Sequence, residues 1–338
     1  MPELPEVESI ALGLRAALVG KRVARVRVET PLVVRGPHRR RWRQFLAELA
    51  GRRVTSVTRR AKRLILTFEG NLALVFQLGM TGKFLLPQPR ADIPAAPLRH
   101  TRLILSCADA TELLFVDPRR FGRVWCLRDL DPNAPDPTME AAGLTPLGPE
   151  ALDLDRETLA GLLRTSRPIK SLLLDQGRIA GLGNIYADES LWAAGIHPAR
   201  AGASVSAAEA AALRCAIRAV LRRAIRAGGT TFSDFRNVHG ELGRFRHRLQ
   251  VYGRQGEPCP RCGTTIQYLR VAGRGTHICP RCQPLRTTRR KNLKPIPVGG
   301  GSGKRSLRSL PMVSRAIDKP SAGQQAYWDS LVKSGPQH

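Results

Sequence analysis

The chain opens MPELPE, and the types and spacing of these residues can do chemistry. Loss of Met1 would leave Pro2 with a secondary amine. Such an amine can attack a sugar C1′ and form a charged iminium, the Schiff-base logic otherwise used with lysine. Glu3 and Glu6 lie three apart, so both reach the same side of a first helical turn beside that amine. One carboxyl can protonate a sugar oxygen while the other orients the nucleophile or a water. Lys62, in RRAKRL, begins a strand-like run and can approach the same centre. A plain helix start also favours proline and glutamate. That reading does not account for a proline at position 2.

Seven cysteines are present, and four of them form two CPRC knuckles, Cys259/Cys262 and Cys279/Cys282. Four thiolates at this separation suit one structural Zn²⁺ with every ligand position closed. Between the knuckles, TTIQYLRVAGRGTHI alternates like a hairpin, with Arg274 expected at its glycine-flanked tip. An arginine there can meet a phosphate or a base edge. Cys107, Cys126 and Cys215 sit in apolar surroundings and read as packing residues.

Two further constellations are glycine turns. GLGN (181–184) opens onto a helix, and backbone N–H groups at such a turn can bind phosphate, with Lys170 upstream as a second contact. LGMTG (78–82) and DPRRFG (117–122) each end a strand-like run. Met80, Arg119 and Phe121 then form an apolar tip, a forked cation and a rigid aromatic, the set used to wedge between bases.

The elements that must position these residues follow from periodicity. Residues 3–18 read as an amphipathic helix, with Val7, Ile10, Leu14 and Leu18 on one stripe. Strand-like runs occupy 22–28, 54–58, 63–68, 72–78, 102–106, 112–116 and 122–127, which predicts a β-sandwich or barrel over residues 1–130. The Pro-rich stretch 131–151 reads as a linker. From 152 the period becomes helical, and its clearest helix starts at a Ser206/Glu209 capping box and stops at Gly228 and Gly229. The zinc module spans 246–285, and 286–338 reads as a basic, disordered tail.

The formal net charge is +28, from 55 Lys and Arg against 27 Asp and Glu, which favours a polyanionic partner, nucleic acid first. There is no unbroken apolar run of about 18 residues and no secretory leader, so the expectation is a reducing, cytoplasmic interior and no membrane.

Together, MPELPEVE, LGMTG with DPRRFG, GLGNIYADE, and the CxxC hairpin preceded by LQVYGRQGEPC closely resemble bacterial formamidopyrimidine-DNA glycosylases of the Fpg/Nei family, from Pro2 to about Cys282. The resemblance implies an α+β multidomain fold: an N-terminal β-sandwich with flanking helices, a helix-two-turn-helix domain at 152–245 and a zinc β-hairpin. It implies a monomeric base-excision repair enzyme acting on damaged double-stranded DNA. Oxidised purines would be released through a proline Schiff base, with β,δ-elimination to follow. By motif, Pro2 is the nucleophile, Glu3 the acid–base catalyst, and Glu6 its support. Lys62 has a proton-transfer or phosphate role. Met80, Arg119 and Phe121 fill the gap left by the flipped nucleotide, Arg119 reading the orphaned cytosine. Asn184 and Lys170 hold phosphates, and Arg274 grips the lesion phosphate. The segment 228–245 resembles a lesion-capping loop. One departure concerns LRHTRL, where His100 keeps one of two histidine places and Leu98 occupies the other, which leaves the DNA contact of His100 open. The alternatives are a Nei-type glycosylase for oxidised pyrimidines and a non-catalytic zinc-ribbon protein that binds DNA or RNA.

Overall fold

Helix α1 spans Leu4–Leu18, and its start is set by Glu6, whose Oε2 accepts the Glu3 N–H at 2.8 Å, with a proline in the first turn. Its buried stripe, Val7, Ile10, Ala11, Leu14 and Leu18, is sealed in the main core. The structure, a computed structural model, describes residues 2–87, 99–131, 134–232 and 235–285. The expected tail at 286–338 and Leu98 fall outside them. The described residues all belong to one compact unit, Met1–Thr288. No helix among them is long and apolar enough to cross a membrane.

The strand-like runs build two sheets. One has the order β1 (Val23–Val28), β7 (Thr101–Cys107), β8 (Glu112–Val116), β6 (Lys83–Leu85). The other runs β2 (Val34–Arg35), β9 (Arg123–Leu127), β5 (Leu72–Gln77), β4 (Arg63–Phe68), β3 (Val54–Arg60). Only β2 joins in parallel, through Val34↔Val124 and Arg35↔Trp125. Phe76 meets Phe84 and Phe115 at centroid distances of 5.0 and 5.5 Å, so the sheets are pinned face to face by aromatic edges. The short strands β2 and β6 and the helix α2 (Trp42–Glu48) carry too few periodic residues to be legible in the sequence.

The stretch read as a linker is packed. It contains helix α3 (Pro135–Ala141), and Met139, Ala142 and Leu144 are buried against Ile65, Val75, Trp125 and Leu127 on the outer face of the five-stranded sheet. Ion pairs reinforce the seating: Arg60 to Asp136 at 2.7 Å and to Glu150 at 3.0 Å, and Arg59 to Glu150 at 2.9 Å. Proline and acidic residues mark a turn-rich path, and three apolar side chains decide that it is not free.

The helical half comprises α4 (Arg156–Leu162), α5 (Ile169–Leu174), α6 (Asn184–Ala194) and α7 (Ala207–Arg226). The capping box of Ser206 and Glu209 opens α7, whose buried stripe is Leu213, Ile217, Val220 and Leu221, with Ile225 half-buried. In the last module β10 (Gln267–Val271) pairs with β11 (Arg274–Ile278), closing through Val271↔Arg274. The two-residue turn is therefore Ala272 and Gly273, both with positive φ, as a hairpin of this hand requires. Arg274 is the first residue of β11 rather than the tip.

Candidate active site

Pro2 is buried at the meeting point of two clefts. One, about 280 Å³, is lined by Glu6, Met80, Thr81, Arg119, Ile185, Thr230, Phe232 and Phe235. The other, about 220 Å³, is lined by Lys62, Arg63, Gln77, Leu78, Leu147 and Gln176. Pro2 is the residue common to both.

Glu3 lies at the start of α6. Its Oε1 accepts the Ile185 N–H at 3.0 Å, while Oε2 is buried and has no hydrogen-bond partner among the described residues. Burial raises its pKa to about 7, against the attraction of Lys62. A carboxyl that holds a proton near neutral pH, with one oxygen unengaged, is suited to general acid work. The glycine turn also makes room for α1. A Cβ at Gly183 would overlap the Glu3 carboxyl, and one at Gly181, where φ is +101°, would meet the Leu4 side chain at 2.5 Å. The glycines admit α1 to the α6 terminus, where the Glu3 carboxyl takes the Ile185 N–H.

Glu6 is held from three sides. Its Oε1 accepts from Tyr186 Oη at 2.5 Å and from the Thr230 N–H at 2.8 Å, and its Oε2 accepts the Glu3 N–H at 2.8 Å. Tyr186 Oη and Thr230 Oγ1 share a further bond of 2.8 Å. Burial raises the Glu6 pKa, and these donors oppose it. Lys62 donates to the Leu182 carbonyl at 2.6 Å, and desolvation lowers its pKa against the pull of Glu3 and Glu6. Arg274 pushes it in the same direction as desolvation, so this exposed arginine acts electrostatically on the Pro2 side.

The two wedge turns are one unit. The buried Asp117 accepts from Thr81 Oγ1 and from the Gly122 N–H, both at 2.6 Å, and its own N–H donates to the His100 carbonyl at 3.0 Å. Gly79, with φ +65°, is packed against the Phe121 backbone, where a Cβ would stand 2.8 Å away. This frame leaves Met80 48 % and Phe121 47 % exposed, and Arg119 lies over the Phe121 ring at 4.7 Å. Large apolar side chains held out by a rigid frame are built for contact.

The four knuckle sulfurs lie within 4.8 Å of one another, with Cys262 Sγ at 3.4 Å from both Cys279 and Cys282 and Cys259 Sγ at 3.9 Å from Cys282. A tetrahedron of Zn–S bonds of about 2.3 Å needs sulfurs about 3.8 Å apart, so the donor set fits zinc. Cys259 and Cys279 are buried against Trp192 of α6.

Family models match in chain order: formamidopyrimidine-DNA glycosylase N-terminal domain at residues 1–124, its H2TH domain at 147–236, and the zinc finger found in FPG and IleRS at 256–285. A formamidopyrimidine-DNA glycosylase of Roseiflexus sp. is 46 % identical over 84 % of this chain and 100 % of its own length. The chain belongs to the formamidopyrimidine-DNA glycosylase family. A relative of that name from Moorella thermoacetica is 45 % identical over 80 % of this chain and 95 % of its own. Among solved structures, the MutM (Fpg) protein of Thermus thermophilus matches with TM-score 0.69 at 41 % identity, covering 83 % of this chain and 98 % of that one. The Lactococcus lactis Fpg in complex with abasic-site DNA matches with TM-score 0.72 at 33 % identity, covering 83 % and 99 %.

In this family member the structure brings Pro2, Glu3, Glu6 and Lys62 together and sets Met80, Arg119 and Phe121 on the adjoining rim. Lys170 is placed differently from the expectation of a phosphate contact. It is fully enclosed, and its amine donates to Asp188 Oδ1 at 2.5 Å, the Gly275 carbonyl at 2.7 Å and Thr276 Oγ1 at 2.9 Å. Three N–H groups meet three acceptors, so none is left over. Asn184 Nδ2 donates to the same Gly275 carbonyl at 2.9 Å. Both residues clamp the zinc hairpin beside Arg274. Sequence reasoning missed the residues that hold this assembly: Tyr186 and Thr230 on Glu6, Asp188 on Lys170 and the His277 N–H, and Glu189 on the N–H groups of Gln250, Val251 and Tyr252. The one available signal was the adjacent acidic pair in an otherwise apolar helix, YADESLW, since buried acids need several donors.

Proposed function

We propose that this chain is a bifunctional DNA glycosylase and abasic-site lyase that excises oxidised purines from duplex DNA, with Pro2 as the nucleophile. The observation that carries the assignment of roles is the placement of Pro2 between two clefts, beside a carboxyl whose pKa is raised to about 7. The Pro2 nitrogen attacks C1′ as the C1′–base bond breaks, and the amine proton goes to the departing base; Glu3 then protonates O4′, and the C1′–O4′ bond opens to leave the iminium. The resulting iminium makes the C2′ proton acidic. Its loss expels the 3′ phosphate, and a second elimination expels the 5′ phosphate. Glu6, fixed by Tyr186 and Thr230, orients α1 and with it the amine. Lys62, whose pKa burial lowers, is placed to relay protons or to meet a phosphate.

The flipped base enters the cleft bounded by Glu6, Ile185 and Thr230, and the wedge of Met80, Arg119 and Phe121 fills the space it leaves. Arg119 offers its fork to the unpaired cytosine. Arg274 grips the lesion phosphate, and His100, tied through its carbonyl to the wedge frame, adds to the DNA-facing rim. Asn184 and Lys170 act by holding the hairpin. Cys259, Cys262, Cys279 and Cys282 hold one zinc ion, which fixes the hairpin and takes no part in bond-making. The domain limits 1–130, 152–245 and 246–285 serve these roles as catalytic sandwich, helix-two-turn-helix and zinc finger. The enzyme works as a monomer on chromosomal DNA in the cytoplasm.

The family match runs through the N-terminal domain that contains Pro2, which disfavours a silent zinc-ribbon protein. The test is borohydride trapping on an 8-oxoguanine duplex. Protein lacking Met1 should form a covalent adduct at Pro2. Protein with Met1 retained, or Pro2→Gly, should lose trapping by at least a hundredfold, and normal trapping by either would remove Pro2 as nucleophile.

A further inference from the structure

Beyond the wedge, the outer edge of the five-stranded sheet carries a pair of arginines that the catalytic reading does not use. Arg35 ends β2 opposite Trp125, and Arg123 begins β9 two residues earlier, so the parallel register sets the two arginines diagonally on one face of the strand pair. Each guanidinium is pinned in the same way. Arg35 Nη1 donates to the Leu32 and Val34 carbonyls at 2.6 and 3.0 Å. Arg123 Nη1 donates to the Arg120 and Gly122 carbonyls, both at 2.7 Å.

A guanidinium has five N–H groups, and the two on Nη1 are used here. The Nε–Nη2 edge of each fork is left, which is the edge that takes a phosphate bidentately. Both side chains are half-buried and already ordered, so little rotamer freedom is lost on binding. Neither takes part in the ion pairs formed among the described residues. Exposed Arg39 adds to the same positive field, and Arg35 is electrostatically opposed by both Arg123 and Arg39. Like charges held together without a carboxylate are unfavourable in the free protein, and an anion relieves them.

The carbonyl partners give the pair its meaning. Arg120 and Gly122 flank Phe121, and Arg120 sits in the left-handed region with φ +58°, a conformation a side-chain-bearing residue adopts at a cost. Arg123 therefore braces the turn that holds out Phe121 and Arg119. We propose that Arg35 and Arg123 form a phosphate clamp for the strand opposite the lesion, and that its occupation fixes the wedge turn as the wedge enters the duplex. The clamp rests on the reading that damaged duplex lies across the wedge.

The test uses the full zinc-loaded chain and lesion duplexes in which single phosphates of the undamaged strand are replaced by methylphosphonates. Wild type should lose affinity fivefold or more at one or two adjacent positions. The variant Arg35→Gln with Arg123→Gln should show no further loss there, and its salt slope on duplex should fall by about 0.9 for each phosphate released. Its binding to single-stranded lesion oligonucleotide should be unchanged. A flat methylphosphonate profile in wild type, or an unchanged duplex slope in the variant, overturns the clamp. Inorganic phosphate competing as well as duplex for the pair, with no effect of strand position, would also overturn it by making the site a free-anion site. Failure of wild type to prefer lesion duplex at all would instead sink the functional reading beneath it.

Discussion

Glu3 shows how one residue can be tuned by where the chain folds. Its carboxyl is buried, which disfavours the anion, and it caps α6, which favours it; burial wins and the pKa rises to about 7. The sign of the consequence is fixed. A carboxyl whose folded pKa exceeds its unfolded value near 4.5 stabilises the fold at low pH and loses that contribution as pH rises towards and through about 7. At about 1.4 kcal/mol for each pK unit, ionised Glu3 costs the fold roughly 3 kcal/mol above neutrality. Glu3→Gln should therefore unfold at a higher temperature than wild type at pH 8 and differ little at pH 5, while base excision falls by at least a hundredfold. Thermal melts at the two pH values, with single-turnover excision, check both halves. Equal melting temperatures at pH 8 would show that Glu3 does not titrate as described. The cluster of Pro2, Glu3 and Glu6 was legible from three positions in the sequence. Tyr186 and Thr230 were not, because a tyrosine hydroxyl and a backbone N–H take on their role only when segments 180 and 224 residues away meet Glu6.

At the scale of elements, the wedge and the zinc hairpin are both small structures that borrow rigidity. The wedge takes it from Asp117, the hairpin from Lys170, Asp188 and the metal. Strands and the helices α1 and α7 were readable because period and caps agree over many residues. The packed segment 131–151 was not, because its composition says turn and only three side chains say core. On the proposed reading, Phe121→Ala removes the ring that compensates for an unstacked partner base, at a cost of a few kcal/mol. Excision from 8-oxoguanine duplex should slow tenfold or more, with cleavage of a preformed abasic site much less affected. Arg119→Ala should also blunt the preference for cytosine over adenine opposite the lesion by about 1–3 kcal/mol. An unchanged ratio of the two single-turnover rates would reduce Arg119 to a turn residue. For the hairpin, Cys259→Ser leaves three thiolates and should lose zinc, measured by elemental analysis, and with it at least tenfold in lesion-duplex affinity. Full metal occupancy in that variant would show that the ligand set is wrong.

The whole chain is strongly positive, with a formal net charge of +28. The segment from Pro284 onward holds eleven Lys or Arg and two Asp, so a surplus of +9 lies there and the other +19 belongs to the catalytic body. That division predicts two separable effects. In the proposed mechanism the chemistry depends on Pro2, Glu3, Glu6 and Lys62, all far from the segment in sequence, and the family match ends with the zinc finger at residue 285. Affinity for any duplex depends on how many phosphates are neutralised, because each releases condensed counterions and adds about 0.9 to the slope of log K against log salt. Deleting 287–338 should leave single-turnover excision within twofold of the full chain at saturating enzyme. The slope for undamaged duplex should fall by at least one, and the affinity lost should be greatest at low salt. The measurement is fluorescence anisotropy across a salt series with both proteins. If the two slopes coincide while excision is unaffected, the +8 carried by residues 287–338 does not touch DNA, and the electrostatic attraction comes from the preceding residues, which include the Arg35–Arg123 pair.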